Sequence, residues 1–93
     1  MDTEMINDKV SQGIMLISAE KYDAAKLLLE DIIAEAPRTM EAYIHLGNAC
    51  ANLGKYDEAI ESFKKALLVD PNYVEAYFSI GSIYVLMNEK VKA

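Results

Sequence analysis

Residues 41–72, EAYIHLGNACANLGKYDEAIESFKKALLVDPN, hold one structural unit with the punctuation that divides and closes it. Met40 to Asn52 and Tyr56 to Val69 contain no proline and carry apolar residues at helical spacing, so each stretch predicts a helix. Leu53-Gly54-Lys55 separates them, because Gly54 can adopt the left-handed conformation that ends a helix. Asp70-Pro71-Asn72 closes the unit. Proline cannot continue a helix, and Asn72 with Glu75 three residues later has the spacing of a capping box for the next one. Glu61 and Lys65 are placed to pair on the exposed side of the second helix.

The same unit recurs to either side. Gly13, Gly47 and Gly81 are successively 34 residues apart, and so are Pro37 and Pro71. Tyr22-Asp23 and Ala25 recur as Tyr56-Asp57 and Ala59, and Glu41-Ala42-Tyr43 as Glu75-Ala76-Tyr77. This many matches at a single offset mark a duplicated unit. Helices are therefore expected at Thr3 to Ser18, Tyr22 to Ala36, the two already named, and Tyr73 to about Met87. The short connections make successive helices antiparallel. One all-α domain spans residues 1–93, with units at about 6–39 and 40–73 and a partial unit at 74–93. On this reading Gly47 and Ala59 mark the closest approach of two helices, and Tyr43, Leu46, Cys50, Phe63 and Leu67 fill the surrounding volume.

The middle unit, with Tyr43, Leu46-Gly47, Leu53-Gly54-Lys55-Tyr56-Asp57-Glu58-Ala59, Phe63, Ala66-Leu67 and Asp70-Pro71-Asn72, resembles a tetratricopeptide repeat. The first unit fits through Gly13, Tyr22, Ala25, Leu29, Ile32 and Pro37, but Lys9 and Gln12 replace an aromatic residue and a leucine. The third fits through Tyr77, Ile80-Gly81 and Tyr84. The resemblance implies a right-handed α-α superhelix of about two and a half helix pairs, five helices in all. It also implies a concave groove, lined by the first helix of each pair, that receives peptide segments of other proteins.

Composition narrows the chemistry. A net charge of −6 disfavours a phosphate backbone, so nucleic acid is not an expected partner. No apolar run approaches the roughly 20 residues of a membrane span, and no leader pattern precedes the first helix. The lone cysteine, Cys50, has no partner for an intramolecular disulfide, which points to a reducing, cytoplasmic setting. His45 is the only histidine. Helical spacing turns it away from Cys50, so neither a zinc site nor a Cys-His nucleophile pair is expected. The four glycines are isolated and build no phosphate loop. Neither an enzyme nor a cofactor is expected.

The groove residues follow from the stripe of each first helix that turns away from its paired helix. They are Val10, Ile14 and Ile17 with Ser11 and Ser18; Ile44, His45, Asn48, Ala51 and Asn52; and Phe78, Ser79, Ser82, Val85 and Leu86. Val10, Ile44 and Phe78 form one apolar row, and Ile17, Ala51 and Val85 a second, with Asn48 and Asn52 offering amides to a ligand backbone. Glu41 and Glu75 edge this groove. The expected partner is thus a protein or peptide, neutral or basic, with apolar anchors. Family members that hold acidic chaperone tails do so with lysine, arginine and asparagine. Val10, Ile14, Glu75 and Ser79 occupy matching positions here and supply no such clamp. The alternative functions are homo-oligomerisation through Tyr77, Ile80, Tyr84 and Met87 on an apolar last helix, and recruitment within a larger protein.

Overall fold

The computed structural model describes residues 3–92, with side chains described from Thr3 to Glu89. The described residues form helices α1 (Thr3–Ser18), α2 (Tyr22–Glu35), α3 (Met40–Asn52), α4 (Tyr56–Val69) and α5 (Val74–Lys92) joined by short turns, and contain no strand. They stack as an elongated helical solenoid of 46 × 29 × 18 Å. The first four lie where the sequence places them, α2 closing at Glu35 with the Ala36 amide still bonded to Ile32. The fifth runs past the expected end near Met87. Asn88 stands there in place of Gly54, and without a glycine to reverse the chain the helix continues.

The turn inside each complete pair has one geometry. At the end of α3, Lys55 N–H donates to the Cys50 carbonyl at 2.9 Å and Gly54 N–H to Ala51 at 3.1 Å, with Gly54 at φ +76°. At the end of α1, Lys21 donates to Leu16 at 2.8 Å and Glu20 to Ile17 at 2.9 Å. Here Glu20 occupies the left-handed position at φ 60°, a conformation costly for a residue with a Cβ.

Between pairs the closure differs from the capping box read from the sequence. Asn72 N–H donates to the Asp70 carboxylate at 3.0 Å, and Glu75 accepts the Tyr73 hydroxyl at 2.9 Å. The acid before the proline, two residues from the amide it holds, wins over the asparagine after it, as an Asx turn does. Tyr43 fastens the first such turn from above, its hydroxyl donating to the Pro37 carbonyl at 2.6 Å, and Tyr77 repeats this toward Pro71 at 3.4 Å. Glu61 and Lys65 do not pair. The ion pairs among the described residues run between helices instead, Lys9 to Asp31 at 3.9 Å and Lys26 to Glu58 at 3.2 Å.

The core is centred on Leu29, Ile32, Cys50 and Phe63, each essentially inaccessible, with Ala25, Ala49 and Ala59 between them. Small residues set how closely the helices approach. A Cβ on Gly47 would lie 2.7 Å from the Phe63 ring, so Phe63, one turn beyond the fully buried Ala59, is the group that lies over Gly47. A Cβ on Gly13 would lie 3.1 Å from Leu29. Lys9 and Gln12, the two departures in the first unit, lie at the edge of this packing: Lys9 reaches Asp31 and Gln12 is exposed.

Candidate functional site

α5 packs chiefly on α4 and only sparsely on α3, which leaves a wedge between the two first helices. The result is a cleft of about 280 Å³. Asn48 and Ala51 line it from α3, and Phe78, Ser79, Ser82, Ile83 and Leu86 from α5, with Phe63 of α4 also on its wall. An apolar lining with an amide and two hydroxyls suits an extended or helical segment that needs both anchors and backbone partners.

The structure gathers part of the stripe read from the sequence. Asn48, Ala51, Phe78, Ser79, Ser82 and Leu86 meet at the cleft. Val10 does not belong to an open surface: it is buried in the core, 8% exposed, because α3 packs against α1. Ile17 and Ile44 are half-buried against the same core, whereas Ile14 is 40% exposed, Val85 58% and Phe78 73%. The apolar row Val10, Ile44, Phe78 therefore grades from interior to surface along the stack. Asn52 turns back on its own helix, its side-chain amide donating to the Asn48 carbonyl at 2.8 Å. Ser11 and Ser18 are exposed on α1, away from the cleft lining. The sequence expects Phe63 in the core, and the groove stripe of the last helix does not include Ile83. Their period marks them as inward-facing, and only the splay of α5 brings them to the cleft.

His45 is half-buried, and burial lowers its pKa below the ordinary histidine value against an opposing pull from Glu41. Cys50 is 1% exposed, and burial pushes its thiol upward, with Glu58 and Glu30 acting in the same direction. A thiol held protonated in the core is a poor nucleophile. Among the described residues no three His, Cys, Asp or Glu side chains come together as a metal site. Nor is any helix of the described residues long and apolar enough to cross a membrane.

The four residues expected to drive self-association divide in two. Ile80 and Met87 are half-buried against the core, on the side of α5 that leans inward, while Tyr77 and Tyr84 remain 56% and 51% exposed. Tyr77 also borders an open hollow of about 610 Å³, lined with it by Val74, Phe78, Gly81, Ser82 and Val85.

Comparison with known proteins agrees with this architecture. The family model of the TPR repeat matches residues 47–88. TPR repeat-containing protein MJ1345 of Methanocaldococcus jannaschii is 31% identical over 84 residues, covering 89% of this chain and 27% of that protein. The chain thus spans about a quarter of that relative's length. Among solved structures, a point mutant of MamA superposes with a TM-score of 0.82 at 34% identity, over 89% of this chain and 61% of that one. The Yersinia enterocolitica type III secretion chaperone SycD, in complex with a peptide of the translocator YopD, reaches a TM-score of 0.89 over 95% of this chain and 67% of that one. At 17% identity that likeness speaks for the fold alone. With the 34-residue recurrence and the repeated glycine contacts, these matches show that the chain is built of tetratricopeptide repeats, helix pairs of the kind that serves as a protein-interaction module.

Proposed function

We propose that this chain is a non-catalytic protein-interaction module whose ligand site is the cleft between α3 and α5. The carrying observation is the lining of that cleft, in which Asn48, Ser79 and Ser82 stand among Ala51, Phe78 and Leu86. A partner segment, extended or helical, places apolar anchors against Phe78 and Leu86 and bonds its backbone to Asn48 and the serines. Glu41 and Glu75, both exposed, together with a net charge of −6, select for neutral or basic segments. The repeat units at 6–39, 40–73 and 74–93 act as one domain. A reducing, cytoplasmic setting suits the single thiol at Cys50, buried in the core.

A random peptide library displayed on phage tests the reading, panned against the protein and against Ser79→Trp, whose indole fills the cleft. Peptides with apolar anchors should be enriched on the wild type and lost on the variant, while the two melt alike by circular dichroism. Equal retention of the selected peptides by Ser79→Trp would place binding elsewhere.

A further inference from the structure

We draw no further inference here: the strongest candidate, the charged notch between α2 and α4 that Lys26, Glu30, Glu58, Glu61 and Lys65 line together with the buried Cys50, rests on a lone cysteine and exposed carboxylates, and nothing in the structure points to a ligand for it.

Discussion

A single methyl group added at Gly47 and at Gly81 should change stability in opposite directions. In both places alanine replaces a glycine inside a helix, which by itself gains about 1 kcal/mol of helix propensity. At Gly47 the new Cβ would sit 2.7 Å from two atoms of the Phe63 ring and 2.9 Å from a third. That ring is 1% exposed, and shifting it toward the cleft it borders breaks its packing in the core, so the overpacking cost is about 3 kcal/mol. Gly47→Ala should thus destabilise by about 2 kcal/mol net, and Gly47→Leu by more. At Gly81 nothing lies within 4 Å, so Gly81→Ala should keep the full gain of about 1 kcal/mol. In a domain this small each kcal/mol moves the melting temperature by about 4–8 °C, so circular-dichroism melts resolve both changes. The Phe63→Leu background provides an internal check. A Cβ at Gly13 would meet Leu29 at 3.1 Å, a looser contact than the 2.7 Å at Phe63, so Gly47→Ala should cost less beside a leucine, a coupling measurable by a double-mutant cycle. Shifts of the same sign at Gly47 and Gly81 would refute the reading of equivalent glycines in unequal surroundings.

Other consequences are as direct. Glu20→Gly, at the one described non-glycine residue with positive φ, should stabilise by about 1 kcal/mol, read from the urea midpoint at unchanged slope. Burial depresses the folded-state pKa of His45, so the folded state favours neutral imidazole. The resulting stability is present above the unfolded value near 6.5 and lost as pH falls through the folded value. His45→Gln should flatten that acid-side slope in melts run across this range. A peptide with an acidic C-terminal tail should show no saturable binding, because Glu41 and Glu75 are exposed in the first turns of α3 and α5 and the chain carries a net charge of −6; micromolar, salt-sensitive binding would contradict that expectation.

Much of this molecule is legible in one dimension because its interactions are short-ranged and repeat. A glycine at 54 and prolines at 37 and 71 end helices through local backbone geometry, so the first four helices fall where the sequence puts them. Period and offset also carry the interior, since Leu29 and Phe63 recur at 34 residues and both are buried. The capping box failed on a local competition, in which Asp70 reached the Asn72 amide and Tyr73 took Glu75. The candidate site was less legible, and for a different reason. Helical period says which side of α1, α3 and α5 turns from its partner, but not whether the next helix covers that side. Val10 and Phe78 are equivalent in the repeat, yet one is 8% exposed and the other 73%, because α3 packs on α1 while α5 leans toward α4. Sequence by itself determined the helices, their pairing and the family, all properties of local backbone preference and a repeated apolar pattern. Only the tertiary structure decided which equivalent residues meet solvent, because burial depends on the angle between neighbouring helices, and that angle is a property of the packed stack.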